Sequence, residues 1–592
     1  MDAVRPETLA VFTEWTGERY GAESALRHRD PDGGWATVTY AELRDRVRRT
    51  GRALIALGVG PGERVAVLAE TRPAWTYTHF GILAAGAVLV PVYPTAGEEE
   101  LAWVLSDAEA VVVVCDDAAQ ADRVEALRAK LPALRAVVRM DALPELEQAP
   151  EAELLHRARG VGPGHDASIV YTSGTTGLPK GCRLTHGNLG AVQDATQPLI
   201  QGGPGDSTYL YLPLAHLLAQ LIQFTTLLAG GELCYFGGRI EDVLSELAEA
   251  RPTHLPSVPR LFEKVHSVVL SLAQAQEGGA ERFREAVRLG VLEAEGRLPE
   301  ADRPAYEEAE KNLYSLVRGA FGGRLGWAVT GGAPIAPATL DFLRACGIPV
   351  YEGYGMTESA GLISFNHPGA VRHGTVGRPI AGCEVRIAAD GEVLARGPMI
   401  FPGYHANRAA TAEALDAQDW LHTGDLGELD ADGFLSITGR KKELIITSAG
   451  KNITPTEVEF AVQRSPYISR AVLIGDRRPH PVALITLDAE EITAWARREG
   501  LAALAPDQGL DPAAPDQGLD PAAAAAHPAV RALVEEAVTA ANATVSRPAR
   551  IRAFHILPEE FTVEAGTLTP TLKLRRKAVA ERYAAQIDAL YG

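Results

Sequence analysis

The chain has 592 residues, of which 46% are hydrophobic and 22% charged, and its formal net charge is −19. This length allows more than one domain, and the composition is typical of folded globular proteins, which excludes a disordered chain. An acidic surface of this size repels nucleic acid and anionic membranes, so neither is expected as the main partner. A polyanionic substrate would need locally placed cations.

Several features predict a cytoplasmic protein without a transmembrane segment. The N-terminal residues include acidic side chains and no apolar run, so no signal peptide is predicted. Residues 207–231 carry no charge, but Pro213, Gln220 and Gln223 interrupt them, which favours a buried helix over a membrane span. Membrane contact would then be peripheral. The cysteines, which lack C-x-x-C spacing and are predicted to be reduced thiols without a metal cluster, are Cys115, Cys182, Cys234, Cys346 and Cys383.

The first part of the chain alternates helices with apolar strands. A helix is predicted over residues 40–53, with Thr39 as its N-cap and Glu42 three residues further on. Continuous apolar strands that alternate with helices predict parallel sheets covered on both faces, which is an α/β architecture. The other elements predicted here are strands over residues 65–68, 87–92 and 110–115 and helices over residues 75–85 and 98–106.

Residues 171–181 read YTSGTTGLPKG, a loop of small residues followed by a lysine. Glycines allow close approach of the backbone, hydroxyls donate hydrogen bonds, and successive amides form a nest for an anion. The spacing differs from the Walker pattern, in which lysine directly follows glycine. An ordinary turn after a strand over residues 167–171 is the alternative. The candidate phosphate-binding residues are Thr172, Ser173, Gly174, Thr175, Thr176, Gly177 and Lys180.

A second cluster follows a predicted helical insertion over residues 261–317. Strands predicted over residues 325–330 and 350–354 end in TGGAP and YEGYGMTES, and open α/β sheets bind ligands at the carboxyl ends of their strands. Tyr354 offers a flat face to adenine, Thr357 adds a hydroxyl, and Glu358 is a hard oxygen ligand for Mg²⁺. A turn used only for packing is the alternative. Further nucleotide-binding candidates are Gly332, Ala333, Pro334, Glu352, Gly353, Gly355 and Met356.

A third cluster lies in residues 419–443, after alternating segments at 384–387 and 392–396 that predict a small β subdomain. Asp425 follows a Thr-Gly pair in a turn where a carboxylate could accept both ribose hydroxyls, and Arg440 follows across a predicted hairpin. Capping of the turn is the ordinary alternative for such an aspartate. We predict one domain over residues 1–440 and a second over residues 441–592.

The second domain contains predicted strands over residues 469–475 and 482–487. Residues 505–513 (APDQGLDPA) are repeated exactly at residues 514–522 and are followed by alanines, which predicts a flexible insertion over residues 505–526 without chemistry. Near the C-terminus Lys573 lies on a threonine-rich loop ahead of a basic, helical tail. A solvated surface lysine is the alternative interpretation of Lys573.

The uncharged helix after LPLAH, residues 212–216, bears on the substrate. Leucines and a phenylalanine share one face of this helix, and His216, Gln220 and Gln223 share another. An apolar wall with a polar stripe suits a channel that takes an aliphatic chain and places its carboxylate at the nucleotide. An ordinary core helix with hydrogen-bonded polar groups explains the pattern equally well.

Together these motifs resemble those of the adenylate-forming superfamily, which includes acyl-CoA synthetases, luciferases and peptide-synthetase adenylation domains. The resemblance extends from residue 39 to Lys573, and TSGTTGLPKGCRLTH, LPLAH and the helical insertion are most similar to bacterial long-chain fatty acyl-CoA ligases. It implies a large α/β N-terminal domain of helix-covered parallel sheets with a small β subdomain, and a small mobile α+β C-terminal domain.

The resemblance also implies roles for individual residues. Asp425 and Arg440 would hold the ribose, and Lys442 would be the hinge between the domains. His216 would lie beside the acyl carboxylate. Lys573 would bridge that carboxylate and the α-phosphate as negative charge builds up in the transition state.

The implied reaction joins a fatty acid to CoA in two steps through an acyl-adenylate, with release of diphosphate and AMP. ATP would bind with Mg²⁺, held by Thr175 and Glu358. CoA would enter beside residues 449–452, which include the binding candidates Gly450 and Lys451. The alternatives are a fatty acyl-AMP ligase that loads a carrier protein, a luciferase-like monooxygenase and a regulator that binds nucleotide without catalysis. The sequence is compatible with a monomer or a homodimer.

Overall fold

The computed structural model describes residues 5–172, 178–200, 202–238, 242–448, 451–501, 504, 519–563, 565–569 and 573–592. The chain folds into two compact units. The first comprises Met1–Thr423 and Leu429–Ser436, and the second comprises Gly424–Glu428 and Ile437–Gly592. The division passes through two neighbouring strands, whereas the sequence places the boundary after Arg440.

One sheet of the first unit is parallel apart from its last strand. The described residues give it six strands, and the 166–172 strand pairs parallel with its neighbour at 88–92 and antiparallel with that at 180–185. Apolar runs without alternation explain the burial of the central strands on both faces. The strand order is Ala136–Arg139, Val112–Cys115, Arg64–Leu68, Val88–Val92, Asp166–Thr172 and Lys180–Thr185.

The larger sheet of the first unit has nine strands among the described residues. The six central strands pair in parallel, and antiparallel strands flank them at both edges. The predicted parallel sheets are therefore confirmed. The strand order is Arg378–Pro379, Ser364–Phe365, Val350–Tyr354, Trp327–Thr330, His254–Ser257, Ser207–Leu210, Glu232–Tyr235, Ser24–Arg29 and Trp35–Thr39.

Helices cover these sheets. The predicted cap is confirmed at Tyr40–Ala56, where the Glu42 amide donates to Thr39 Oγ1 at 3.2 Å and the Thr39 amide donates to Glu42 Oε2 at 2.8 Å. The other described α-helices of this unit are Phe12–Tyr20, Pro73–Ala84, Glu98–Asp107, Ala118–Ala126, Glu151–Gly160, His186–Thr196, Leu217–Leu228, Val243–Ala250, Pro259–Gln274, Gly279–Ala294, Arg303–Ala309, Ser315–Ala320, Pro337–Ala345 and Arg408–Ala414. Four of them, between residues 259 and 320, form the predicted insertion.

A four-stranded sheet follows in the described chain, in the order Glu384–Ile387, Glu392–Arg396, Leu421–Leu429 and Leu435–Arg440. Its first two strands begin and end as predicted. The second unit contains the small sheets of Ile445–Ile446 with Asn452–Ile453 and of Ile468–Ile474, Val482–Leu487 and Phe554–Ile556. Its described α-helices are Pro455–Val462, Ala489–Arg498, Pro521–Ala526, Pro528–Thr544, Arg576–Arg582 and Ala584–Ala589.

The prediction of a flexible insertion through residue 526 is wrong for its last part. The first repeat and most of the second lie outside the described residues, but Asp520 caps the helix Pro521–Ala526 and Ala524 is fully buried in the core of the second unit. Alanines pack there because the neighbouring helices supply the apolar surface that the segment itself lacks.

The remaining compositional predictions concern the core. All five cysteines are buried free thiols, as predicted. The uncharged run 207–231 is divided between a strand, a loop and the helix Leu217–Leu228. Within the described chain, no helix is both long and apolar enough to cross a bilayer.

Candidate active site

Glu358 lies in a tight turn at the carboxyl end of the strand Val350–Tyr354, in the larger sheet of the first unit. A single 3₁₀ turn, Thr357–Ser359, carries the glutamate, and the Ser359 hydroxyl donates to the Met356 carbonyl at 3.0 Å. The side chain of Glu358 is buried, with 7% of the residue exposed. A buried carboxylate is stable only with polar partners or a cation, so its surroundings decide its role.

Tyr404 supplies one of these partners. Its hydroxyl donates to Glu358 Oε1 at 2.6 Å, and the Phe401 amide donates to the Glu358 carbonyl at 2.9 Å. The ammonium of Lys180 lies 5.2 Å from the centroid of the Tyr404 ring, within the range of a cation–π contact. Lys180 and Glu358, predicted from two separate motifs, thus meet around one tyrosine.

The strand that follows the predicted phosphate loop holds this cluster together. Cys182, two residues after Lys180, forms a backbone bridge with Tyr404, and the His405 amide donates to the Gly181 carbonyl at 2.7 Å. Burial and the neighbouring Glu358 carboxylate raise the pKa of the Cys182 thiol well above its ordinary value. The same two causes raise the pKa of the Tyr404 hydroxyl, so both side chains stay neutral at physiological pH and can act as hydrogen-bond donors.

The predicted nucleotide-binding segments TGGAP and YEGYG lie side by side. Thr330 and Glu352 are register partners on adjacent parallel strands, and Gly332, Ala333 and Pro334 form an exposed turn beyond them. The Thr330 hydroxyl is buried and has no hydrogen-bond partner among the described residues. Burial raises the pKa of the Glu352 carboxyl from 4.5 to about 7. Unsatisfied polar groups at the carboxyl edge of a parallel sheet are a feature of ligand sites.

Replacing Glu352 with glutamine should flatten the pH dependence of stability. Because the folded-state pKa of Glu352 is raised, its contribution to the unfolding free energy is complete below pH 4.5. This stabilisation is lost as pH rises to about 7. From pH 5 to pH 8, the unfolding free energy of E352Q relative to wild type should rise by up to about 3 kcal/mol. Urea titrations at both pH values measure this difference. Glu145→Gln at an exposed site is the control, and a wild-type pH profile in E352Q would contradict the assignment.

The helix Leu217–Leu228 contacts the Glu358 turn through its apolar face. A Cβ on Gly361, whose φ is +98°, would lie 2.4 Å from Leu221 Cδ1, so the turn needs glycine there. His216 caps this helix and its Nδ1 accepts from the Leu218 amide at 3.2 Å. The leucines at the start of the helix therefore lie next to the turn that carries Glu358.

The polar face of this helix is not an exposed stripe. Gln220 and Gln223 are completely buried. Gln223 accepts from the Thr76 hydroxyl at 2.6 Å, and its amide nitrogen lies 3.1 Å from His79 Nδ1. The core-helix interpretation therefore holds for Gln223. Gln220 differs, because its Oε1 has no partner among the described residues.

Asp425 and Arg440 meet in the second unit, as the predicted hairpin requires. Arg440 Nε lies 2.9 Å from Asp425 Oδ1, and the carboxylate is nearly buried, whereas the guanidinium is half exposed. The pair lies on neighbouring strands, Leu421–Leu429 and Leu435–Arg440, which Gly433 helps to join in a turn with φ +80°. The ion pair fixes the carboxylate, while about half of the Arg440 side chain remains exposed to solvent.

Lys442 and Lys573 lie on segments that one arginine connects. Lys442 is exposed in the 3₁₀ turn Lys441–Glu443. The Lys573 amide donates to Thr569 Oγ1 at 3.0 Å, and the helix Arg576–Arg582 begins three residues later. Arg576 donates to Glu459 Oε1 at 2.6 Å and to Glu443 Oε2 at 3.3 Å. The partly buried guanidinium thereby attaches the base of the Lys573 loop to the turn that contains Lys442.

The remaining predicted site residues form two groups: those that the structure describes and those outside the described part of the chain. Lys451 is exposed after the second-unit strand Ile445–Ile446, with its amide 3.2 Å from Thr447 Oγ1. Thr172 precedes the phosphate loop and is the register partner of Lys180. Gly353, Tyr354, Gly355 and Met356 lie between Glu352 and Thr357. The predicted residues outside the described part of the chain are Ser173, Gly174, Thr175, Thr176, Gly177 and Gly450.

Tyr404 is the residue that sequence reasoning missed. It lies in FPGYH, which has neither a periodic pattern nor a grouping of chemically active side chains. A tyrosine after a Pro-Gly pair is compatible with a turn and nothing more. Only the contacts with Lys180 and Glu358, both remote in sequence, mark it as part of the site.

The chain is similar to known proteins over nearly its whole length. The AMP-binding enzyme family matches residues 13–405, and the AMP-binding enzyme C-terminal domain matches residues 442–507. The chain is 39% identical to the long-chain-fatty-acid–CoA ligase FadD15 of Mycobacterium bovis, over 97% of this chain and 95% of that protein. It is 31% identical to the long-chain-fatty-acid–CoA ligase ACSBG2 of Xenopus laevis, over 99% of this chain and 84% of that protein.

Among solved structures, the o-succinylbenzoate coenzyme A synthetase of Bacillus subtilis in complex with ATP and magnesium ion has a similar fold. The TM-score is 0.67 at 22% identity, with 95% of this chain and 98% of that chain covered. The chain therefore shares the fold of this synthetase over nearly its whole length. The chain belongs to the AMP-binding enzyme family.

Proposed function

We propose that the protein is a long-chain fatty acid–CoA ligase that forms acyl-CoA, AMP and diphosphate from a fatty acid, ATP and CoA. The observation that carries the proposal is the meeting of Lys180 and Glu358 around Tyr404, since it places a cation and a hard oxygen ligand together. The full-length similarity to long-chain ligases supports the substrate class.

In the first half-reaction a carboxylate oxygen of the fatty acid attacks the α-phosphorus of ATP. A C–O–P linkage forms, the bond from the α-phosphorus to the bridging oxygen breaks, and diphosphate leaves. Lys180 neutralises phosphate charge, and Lys573 offsets the charge that develops between the carboxylate and the α-phosphate. The protein thus contributes alignment and fixed charge and supplies no nucleophile of its own.

Magnesium fits the residues present. Glu358 offers a carboxylate in a buried turn, which suits a cation that takes one or two carboxylates together with substrate phosphates. Thr175 is the second proposed ligand. When bound, Mg²⁺ would withdraw negative charge from the phosphates and so make diphosphate a better leaving group.

The acyl chain is proposed to bind along the helix Leu217–Leu228. A Cβ on Gly361 would lie 3.5 Å from Leu217 Cδ2 and 2.4 Å from Leu221 Cδ1, so buried apolar side chains lie beside the turn that carries Glu358. His216 at the start of this helix is the proposed neighbour of the carboxylate. The apolar surface favours a long aliphatic chain over a charged or strongly polar acid.

In the second half-reaction the CoA thiol attacks the acyl carbonyl carbon. The thioester C–S bond forms, the C–O bond to AMP breaks, and the thiol proton passes to solvent. We propose that the part of the second unit after Lys442 rotates about this residue between the steps, which withdraws Lys573 and brings Gly450 and Lys451 to the CoA path. Asp425 and Arg440 would hold the ribose throughout.

Replacing Lys442 with proline should slow the thioester step at least tenfold more than the adenylation step, because proline fixes φ and stiffens the turn Lys441–Glu443. Single-turnover rates for each half-reaction, with acyl-adenylate supplied for the second, measure the ratio. Lys442→Ala removes the charge but keeps the flexibility, and should change the ratio little. Equal slowing of both steps in Lys442→Pro would show that Lys442 is not the pivot.

Mass-spectrometric product analysis tests the function. The protein is incubated with MgATP and acids from acetate to oleate, each with and without CoA. The proposal predicts long-chain acyl-CoA and AMP only when CoA is present. Acyl-adenylate that accumulates and never becomes a thioester would favour a carrier-loading acyl-AMP ligase instead. Absence of product from every fatty acid would contradict both.

A further inference from the structure

Tyr404 lies in a loop, but several backbone contacts fix its position. Its amide donates to Thr411 Oγ1 at 2.9 Å, and its backbone bridges Cys182. The preceding residue, Gly403, has a φ of +137°, and a Cβ there would lie 2.6 Å from Thr411 Cγ2. Glycine is therefore required at residue 403 for the backbone to adopt this conformation. The backbone of Tyr404 is held in place by Thr411 and by Cys182.

The two ends of the side chain have different partners. The hydroxyl donates to Glu358 Oε1 at 2.6 Å, which fixes the rotation of the carboxylate and occupies one of its oxygens. The ring makes an edge-on contact with Phe401, with centroids 4.9 Å apart, and its centroid lies 5.2 Å from the Lys180 ammonium. One residue thus orients both a potential metal ligand and a potential phosphate ligand.

This arrangement also keeps two opposite charges apart. Lys180 and Glu358 would weaken each other's action on a nucleotide if they formed a direct ion pair. Instead the ammonium rests against an aromatic face, and the carboxylate accepts from a neutral hydroxyl. The cation–π contact is weak enough for phosphate to replace it, since it contributes far less than a charge-assisted contact with phosphate. The hydrogen bond to the carboxylate is stronger and need not break, because a carboxylate can accept from a hydroxyl and bind a cation at the same time.

We propose that Tyr404 is a positioning residue for the adenylation half-reaction, whose hydroxyl aims Glu358 at the cation that accompanies ATP and whose ring presents Lys180 to the phosphates. This deepens the proposed function and rests on it. The hydroxyl and the ring act on different ligands, so they can be separated by substitution. Tyr404→Phe removes the hydroxyl alone, and Tyr404→Leu removes both.

Two binding measurements distinguish these roles. Electron paramagnetic resonance gives the affinity for Mn²⁺ of the full-length protein saturated with ATP, and calorimetry with EDTA gives the affinity for ATP without a divalent cation. Tyr404→Phe should weaken Mn²⁺ binding about tenfold, as expected for one hydrogen bond to a charged group, and leave ATP affinity within twofold of wild type. Tyr404→Leu should weaken both affinities. Thermal unfolding is followed in parallel to establish that each variant is folded.

Tyr209→Phe is the matched control, because Tyr209 also donates to a glutamate in the first unit, at 2.7 Å to Glu246 Oε2, and belongs to no predicted site. It should alter neither affinity. Wild-type Mn²⁺ binding in folded Tyr404→Phe, or an equal loss in Tyr209→Phe, would overturn the proposal. Neither measurement needs an acyl substrate. A protein that binds Mn²⁺ and ATP as expected but activates no fatty acid would therefore refute the proposed function and leave the role of Tyr404 to be judged on binding.

Discussion

Replacing Lys573 with alanine should abolish acyl-adenylate formation while sparing thioester formation from supplied acyl-adenylate. The lysine ammonium is proposed to offset charge that exists only in the adenylation transition state, and loss of one such group typically costs about a hundredfold or more. Its loop keeps its attachment in the variant, because Arg576 still binds Glu459 and Glu443. Single-turnover assays of the two half-reactions give the two rates independently.

Lys577→Ala provides the control for Lys573→Ala. Lys577 lies four residues further along the same basic tail and is largely exposed, opposite Glu581. A change in overall charge or in the stability of the tail would affect both variants equally. If Lys573→Ala slowed both half-reactions to the same degree, the role assigned to Lys573 would be wrong.

The substitution Glu358→Gln should reduce adenylation about a hundredfold and raise the Mg²⁺ concentration needed for half-maximal rate. Glutamine keeps the shape of the side chain and an oxygen that accepts from the Tyr404 hydroxyl, but it loses the negative charge that a hard cation prefers. The fold should tolerate the change, because a neutral amide costs less to bury than a carboxylate. Adenylation rates across a Mg²⁺ titration test both effects.

Glu392→Gln is the corresponding control for burial. Glu392 is 5% exposed in the first unit, and its Oε2 lies 3.2 Å from His422 Nδ1, in a pair that belongs to no predicted site. This variant should keep the wild-type Mg²⁺ dependence. An unchanged Mg²⁺ dependence in Glu358→Gln would remove this residue from the proposed cation site.

The fold could be predicted where the signal is local. The strands Val350–Tyr354 and Glu384–Ile387 begin and end as the sequence predicts, because apolar runs and strict alternation are properties of neighbouring residues. The cap formed by Thr39 and Glu42 is local for the same reason. In the candidate site, Glu358 and Lys180 could be proposed from the sequence because each lies in a long and specific motif, and the structure brings both to Tyr404.

What could not be predicted depends on residues far apart in the chain. Gln223 reads as part of a polar stripe, yet it is buried because Thr76 and His79, on a helix more than 140 residues earlier, satisfy its amide. Tyr404 becomes significant only when folding brings it to Glu358. Ala524 packs in a core built by helices outside its own segment. Such contacts cannot be predicted from the spacing of residues along the sequence.

The most direct test of the account follows oxygen through the reaction. A long-chain fatty acid labelled with oxygen-18 in its carboxylate is converted with MgATP and CoA, and AMP and diphosphate are analysed by mass spectrometry. Attack of the carboxylate on the α-phosphorus followed by thioester formation predicts one labelled oxygen in each AMP and none in diphosphate. Unlabelled AMP, or label in diphosphate or phosphate, would contradict an acyl-adenylate and with it the proposed ligase mechanism.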